Sequence, residues 1–378
     1  MTEIRPAAYT DDMSRLSPQL SSPELPGTVS DFPGDRVPDT RGQPFVSLVI
    51  PVRNEASHIR QCLNTIAGND WPPERMEIIV VDGMSTDSTR DVIGELAARD
   101  DRIQIVDNPH QSVPFAMNIG IRAARGEIVI RVDGHAEVAS DFIRHSVEQL
   151  LQHSDCWCVG GPIQSVNENL MGRIIAASQS CPVGVGNSRF RTGNYEGYVD
   201  TLAFGAYWKW VFEKIGLFDE ELVRNQDDEL NARLREAGGK IWLSSRIQSR
   251  YFSRTSLLKL WRQYYQYGVW RIRTLQKRGT ASVRYLIPMF FVSAVLLTAL
   301  VAAAFPVLRI PAIVFAVAYM TALLSGAAMV ARRTGPAGFL LSPMVFAILH
   351  FSYGFGSLFG ILWFSVLRRR TLTHGLSR

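Results

Sequence analysis

The sequence predicts an α/β fold, a mostly parallel sheet covered by helices on both faces, followed by a helical C-terminal third built for a bilayer. Three observations predict it. Between residues 46 and 132 four short runs, apolar on both faces, alternate with stretches of helical periodicity. From Arg246 to Tyr285 the chain is basic and aromatic, without one Asp or Glu. From Leu286 onward, apolar runs long enough to cross a membrane take over.

Residues 1–43 are rich in Pro, Ser and Asp and poor in large apolar side chains, which predicts a disordered tail. They have neither the positive n-region nor the apolar h-region of a signal peptide, so the chain is expected to begin in the cytosol. VSLVIPV (46–52) predicts the first strand, followed by a helix facing inward through Ile59, Cys62, Leu63 and Ile66. EIIVVDG (77–83) predicts the second strand. STDSTRDVIGELAAR (85–99) predicts a helix whose opening Ser and Thr residues suit a cap. IQIVD (103–107) and PFAMNIGIRAA (114–124) predict the next strand and helix. EIVIRVDGHAEV (127–138) predicts a fourth strand, cut off abruptly by Asp133-Gly134-His135. Cys62, Cys156, Cys158 and Cys181 show no paired zinc spacing, and Cys156-Trp157-Cys158 reads as strand filling.

Ligands of such sheets sit beyond the carboxyl ends of the strands. Those ends present Asn54 with Glu55, then Asp82, Asn108, and Asp133 with His135. Turn chemistry alone also favours Asp and Asn there. No G-x-G-x-x-G follows the first strand and no G-x-x-x-x-G-K-[ST] occurs, which excludes the common dinucleotide and P-loop sites. An acidic rim that holds a diphosphate needs a divalent cation between the two, Mg2+ or Mn2+, at Asp133 and His135. The imidazole makes Mn2+ the better match.

Four segments, PVRNE (51–55), VVDGMSTDST (80–89), RVDGH (131–135) and NQDDELNARLREAG (225–238), together resemble the inverting family 2 glycosyltransferases with a GT-A (Rossmann-like) fold. The membrane-bound branch of succinoglycan-type exopolysaccharide synthesis is the nearest in character, and the resemblance covers residues 44–285. It implies a catalytic domain over residues 44–255 and a nucleotide-sugar-dependent hexosyltransferase. Its nucleotide pocket would involve Pro51, Glu55, Asp82, Asn118 and Asp133. Asp82 would accept a hydrogen bond from the imino N–H of the base, which suits UDP- or GDP-sugars. Asp133 matches the first acid of the D-x-D metal motif, and His135 stands where the second acid would be. Asp227 falls at the place of the catalytic base, with Asp228 an adjacent competitor and Gln226 where the family has Glu. An acidic first turn of a helix, favoured by the macrodipole, is the structural alternative for that segment. GVGNSRFRTGNYEG (184–197) lacks periodicity and predicts a loop over the sugar, with Arg189 and Arg191 either meeting a diphosphate or solvated.

Residues 256–285 are expected to form basic and aromatic helices at the membrane interface, contacting lipid and not nucleic acid. QYYQY (263–267) lacks the Arg and Trp of the processive Q-x-x-R-W motif, which implies transfer of a single sugar. Residues 286–367 are expected to cross the membrane three or four times. LIPMFFVSAVLLTALVAAAFPVL (286–308) and IPAIVFAVAYMTALLSGAAMVA (310–331) each suffice for one span, at ~1.5 Å per residue against a core of roughly 30 Å. The stretch from Phe339 to Leu367 reads as one tilted helix or a re-entrant pair. Arg332-Arg333 and Arg368-Arg369-Arg370 in the basic tail (368–378) favour the pair by the positive-inside rule. The expected location is the inner (cytoplasmic) membrane, multi-pass, with catalysis on the cytosolic face. The expected acceptor is a polyprenyl-linked saccharide, with direct transfer to polyprenyl phosphate as the alternative. A transporter with a regulatory domain is disfavoured, because the apolar segments carry no acidic residue.

Overall fold

The computed structural model describes residues 43–369, except 168, 187, 193–194, 253–255 and 279–282. The expected tail over 1–42, Arg254, and the basic tail from Arg370 onward lie outside the described residues.

The first half builds the predicted alternation. Strand β1 (Val46–Val52) leads into α1 (Ile59–Ala67), β2 (Met76–Asp82) into α2 (Thr89–Ala97), and β3 (Ile103–Asp107) into α3 (Val113–Ala123). β1 and β2 are buried at every position because helices cover both faces of the sheet, which is why they read as unbroken apolar runs. β4 (Ile128–Arg131) pairs parallel to β1 and then stops. The chain turns through Asp133-Gly134-His135 into β5 (Ala136–Val138), which belongs to a different sheet. A Cβ on Gly134 would stand 2.6 Å from Val52 Cγ1, so only glycine lets this turn lie flush on the end of β1.

After α4 (Phe142–Gln152) come β6 (Cys156–Gly160), β7 (Ile163–Val166), α5 (Leu170–Gln179), and two short turns of helix, α6 (Pro182–Val185) and α7 (Arg189–Thr192). Next are β8 (Gly197–Tyr198), β9 (Ala206–Trp208), α8 (Lys209–Ile215), α9 (Gln226–Glu236), β10 (Lys240–Leu243) and β11 (Ser249–Phe252). The main sheet has eight strands in the order β3-β2-β1-β4-β9-β6-β10-β8. Strand β9 runs antiparallel between β4 and β6, so the polarity of the sheet changes immediately beside the Asp133 turn. A second, three-stranded sheet, β5-β11-β7, braces that turn from the other side. The α/β fold with a mostly parallel sheet is thus present as expected.

The last third is helical: α10 (Leu257–Arg278), α11 (Ile287–Ala304), α12 (Arg309–Thr334) and α13 (Pro336–Gly360), which runs on through a wider turn over Ile361–Val366. Three of these helices are long and apolar enough to cross a membrane: Ile287–Ala304, Pro306–Thr334 and Pro336–Val366. Of the two readings after Phe339, one helix or a re-entrant pair, the structure has a single continuous helix. Gly354 and Gly356 are packing positions within it. A Cβ on Gly354 would stand 2.4 Å from the Pro288 carbonyl oxygen, and one on Gly356 would stand 2.1 Å from that of Tyr265.

Helix α10 also differs from expectation. Four basic residues in its second half are engaged by acids of the catalytic unit: Arg271 with Asp228, Arg273 with Glu221, Lys277 with Asp219 and Glu221, and Arg278 with Glu229 and Glu236. Its aromatic residues pack at a tilt on α13 and its continuation, Trp261 on Phe355, Tyr265 on Phe359 and Trp270 on Phe364. The acid-free stretch therefore docks one part of the chain on another, through partners distant in sequence. Gly268 sets how closely α10 approaches α13, since its Cβ would stand 2.1 Å from the Tyr353 carbonyl oxygen. Gly268→Ala is expected to destabilise the protein by about 1–3 kcal/mol through overpacking. Gly94→Ala, where a Cβ meets nothing within 4 Å in an exposed helix, is expected to stabilise it by roughly 0.4–1 kcal/mol. Thermal melts of the two variants against the parent check the opposite signs.

Candidate active site

The site begins where β1 and β2 end. Asn54 and Met84 both take left-handed backbone angles (φ 55° and 57°), which turns the two strand exits toward each other. The Asn54 amide N donates to Ser85 Oγ (2.9 Å) and its Oδ1 accepts from the Thr86 amide (2.8 Å). The Glu55 amide donates to Thr89 Oγ1 (2.8 Å), tying PVRNE to the start of α2. Asp82 lies wholly buried, and its Oδ2 accepts from the Ser85 amide (3.0 Å) and Arg90 Nη1 (2.8 Å). Arg90 reaches on to Asp107 Oδ1 (2.7 Å) at the tip of β3. Asp82 thus organises the nucleotide-side loop from beneath, and a base that reached it would have to displace Ser85.

Pro51 sits within β1, opposite Val81 in register. Asn118 corrects an expectation. It is buried in α3, donates to the Phe218 carbonyl and Glu220 Oε1 (2.9 Å each), and accepts from the Phe218 amide (2.9 Å). Its amide is fully engaged in clamping the loop that leads into α9, so it is not placed for a nucleotide. Asn118→Ala is expected to lower the melting temperature, at about 1–3 kcal/mol for each buried backbone partner left unsatisfied, with the KM for the donor unchanged. Parallel melts and donor titrations check this.

At the centre stands Arg131, the last residue of β4 and 6% exposed. Its Nε donates to Asp133 Oδ1 (3.0 Å), and its Nη1 donates to Asp227 Oδ1 in the first turn of α9. One guanidinium therefore holds together two carboxylates 94 positions apart in sequence, the expected metal acid and the expected base. Burial drives the Asp227 carboxyl upward. Arg131 opposes that, and Asp133 and Asp228 add to it, leaving the pKa at about 7. Asp228 is held differently, with Oδ1 accepting from Thr201 Oγ1 (2.8 Å) and Oδ2 from Arg271 Nη2. The sequence reading missed Arg131. Its signal was a lone charge closing a run buried on both faces, IVIR, since a buried cation demands a partner.

His135 does not join Asp133 here. Its Nδ1 lies 3.0 Å from Glu55 Oε1, and its ring meets the edge of Tyr251. Burial would lower its pKa, but Tyr251, Glu55 and Asp133 raise it to about 10. A protonated imidazole must lose its proton before it binds a metal. Among the described residues no group of three or more His, Cys, Asp or Glu side chains forms a metal cage. What the rim does offer is Asp133 Oδ2, which has no hydrogen bond among the described residues. That donor set fits a cation arriving with a diphosphate, which needs only one or two protein ligands beside phosphate oxygens.

A mostly parallel sheet with an acidic rim, a D-G-H turn at its fourth strand and an acid-headed helix delivered opposite that turn define a GT-A glycosyltransferase. A profile described as "Glycosyl transferase family 2" matches residues 47–215. The chain is 32% identical over 254 residues to the dolichyl N-acetyl-alpha-D-glucosaminyl phosphate 3-beta-D-2,3-diacetamido-2,3-dideoxy-beta-D-glucuronosyltransferase of Methanococcus voltae, covering 65% of this chain and 78% of that protein. It is 30% identical over 245 residues to succinoglycan biosynthesis protein ExoA of Rhizobium meliloti, covering 64% and 74%. The mannosyltransferase PcManGT from Pyrobaculum calidifontis, solved in complex with GDP-Man and Mn2+, shares the fold with a TM-score of 0.56. That match covers 89% of this chain and 92% of that one, at 19% identity. The chain belongs to glycosyl transferase family 2 and is a glycosyltransferase.

Proposed function

We propose that this enzyme moves one sugar from a UDP- or GDP-sugar to a polyprenyl-linked saccharide, with inversion, on the cytosolic face of the inner membrane. The observation that carries the reading is the placement of Asp227. It heads α9, whose next residue, Asp228, is bonded to Arg271 of α10, and Arg271 Nε donates to Tyr353 Oη of α13 (3.2 Å). The base is thus two side chains from an apolar helix, where a lipid-borne acceptor arrives. The printed names of the relatives, a dolichyl-linked acceptor in one and an exopolysaccharide in the other, support the same substrate class.

Asp227 accepts the proton of the acceptor hydroxyl as that oxygen attacks the anomeric carbon. Asp228 is committed to Thr201 and Arg271, so it positions α9. Arg131 keeps the Asp227 carboxylate aimed across the Asp133 turn. Asp133, with His135 once the Glu55 pair opens, would hold Mn2+ or Mg2+, which when bound offsets charge on the departing nucleoside diphosphate. With the Asp227 carboxyl at about 7 in the free protein, kcat/KM is expected to fall about tenfold per pH unit below that value and to level off above it. A pH–rate profile checks this.

The substrate test is incorporation of radiolabelled sugar from UDP- and GDP-donors into the lipid extract of membranes carrying the enzyme, followed by thin-layer separation. A labelled lipid whose sugar survives mild acid as part of a longer saccharide supports extension of a lipid-linked glycan. A single acid-labile sugar on lipid phosphate would transfer the assignment to polyprenyl-phosphate glycosylation, and label confined to water-soluble products would remove the lipid acceptor.

A further inference from the structure

We infer that the chain crosses the membrane twice, through the α11–α12 hairpin, and that α13 is a shelf in the cytosolic leaflet which returns the C-terminus to the catalytic side. The inference rests on the membrane anchoring proposed above and specifies how it is built.

Burial along the three apolar helices is not alike. In α11 the buried residues are Met289 and Val292, at its start, and in α12 they are Leu323, Gly326, Ala327 and Val330, near its end. Between them the hairpin is bare, with Leu300 69%, Val307 78% and Ile310 72% exposed. Surface of that kind belongs in lipid. Arg309 opens α12, and Arg332 and Arg333 close it. At ~1.5 Å per residue they stand about 35 Å apart, enough to put basic residues at both faces of a core of roughly 30 Å.

Helix α13 has buried positions from Gly338 to Gly360, and besides α11 and α12 it packs on α5, α6 and α10. His350 Nε2 lies 2.7 Å from the Val183 carbonyl oxygen in α6. Farther along, α13 runs beside α10 in the same direction. Gly356 lies against Tyr265, Gly360 against Val269 and Ile272, and Gln276 Nε2 donates to Ser365 Oγ (2.8 Å). Helix α10 carries Arg262, Arg271, Arg273, Lys277 and Arg278, and a helix so charged does not enter hydrocarbon. From Tyr353 to Ser365, α13 is fastened to α10 and stays at its depth, so it cannot emerge on the far face. Composition alone makes α13 a span, and its packing makes it an interfacial helix with an apolar outer edge at Leu340, Met344, Leu362 and Val366. Both basic pairs, Arg332-Arg333 and Arg368-Arg369, then lie on the catalytic side, with Arg309 alone opposite, as the positive-inside rule requires.

Cysteine mapping in the full-length protein tests this, since Cys62, Cys156, Cys158 and Cys181 are all buried and form a quiet background. Three single variants are made: Lys240→Cys on the catalytic unit, Val307→Cys at the hairpin turn and Arg369→Cys after α13. Each is treated with a membrane-impermeant maleimide in right-side-out and in inside-out vesicles. The expected result is that Lys240→Cys and Arg369→Cys react only in one orientation and Val307→Cys only in the other. Arg369→Cys reacting with Val307→Cys means three crossings and overturns the inference. Val307→Cys reacting with Lys240→Cys means none and overturns it too. Release of the protein by alkaline carbonate overturns the anchoring itself, and so marks a failure of the proposed function separately from a failure of the topology.

Discussion

Asp227→Asn is expected to lower kcat by about 10²–10⁴-fold, the usual share of a positioned general base, while the protein stays folded. The substitution keeps the shape of the side chain and one oxygen for Arg131, so the ties that hold α9 survive through Asp228. Binding of the donor should change little, because the lost interaction is made only as the acceptor hydroxyl gives up its proton. The residual rate should also lose its dependence on pH near 7, since the group with the raised pKa is gone. Asp228→Asn makes the contrasting case. It removes the negative charge that Arg271 pairs with and so should loosen α9 against α10, yet keep a pH-dependent rate whose inflection moves down, since Asp228 helps to raise the Asp227 pKa. Steady-state rates from pH 5 to 9, with circular dichroism of both variants, distinguish the roles. An Asp227→Asn enzyme of parental rate would hand the proton transfer to Asp228 or end the scheme.

Arg131→Met is expected to cost about 3–5 kcal/mol of stability, because it strips the cation from two partly buried carboxylates and leaves them facing each other. At roughly 2–4 °C per kcal/mol, that lowers the melting temperature by about 6–20 °C. The deficit has a predictable sign with pH. Without the guanidinium, the Asp227 carboxyl rises further above its unfolded value, so the folded state binds that proton more tightly than the unfolded one. Stability of the variant then declines as pH rises, and its gap from the parent should be smaller at pH 5 than at pH 8. Melting curves at the two pH values check it. A variant as stable as the parent at both would show that Arg131 is not what holds the turn to α9.

Much of the catalytic unit was legible in the sequence because its signals are local. Strands buried on both faces must be apolar throughout, so β1, β2 and β4 announced themselves, and the Asp and Asn residues after them marked the rim. The four motifs named the family, and Arg131 bonds both Asp133 and Asp227. What misled was chemistry that depends on a distant partner. Asn118 looked like a site residue, but Phe218 and Glu220, a hundred positions on, use its amide. Glu55 pairs with the His135 ring, a contact that no local signal announced. The acid-free run of α10 looked like a lipid-facing surface, and acids from α9 and the loop before it meet its arginines.

By itself, then, the sequence determined the first four strands with the helices between them, which segments are apolar enough for lipid, and which family the enzyme resembles. The strands, helices and apolar runs follow from periodicity and residue type within a dozen neighbours, and the family from the resemblance of four motifs. Only the tertiary structure decided that Arg131 joins the two acids, that Asp228 is a tether, and that α13 lies against α10. Each depends on which groups meet after the chain closes loops of tens of residues, where a charge or a glycine acquires its meaning from the surface opposite it.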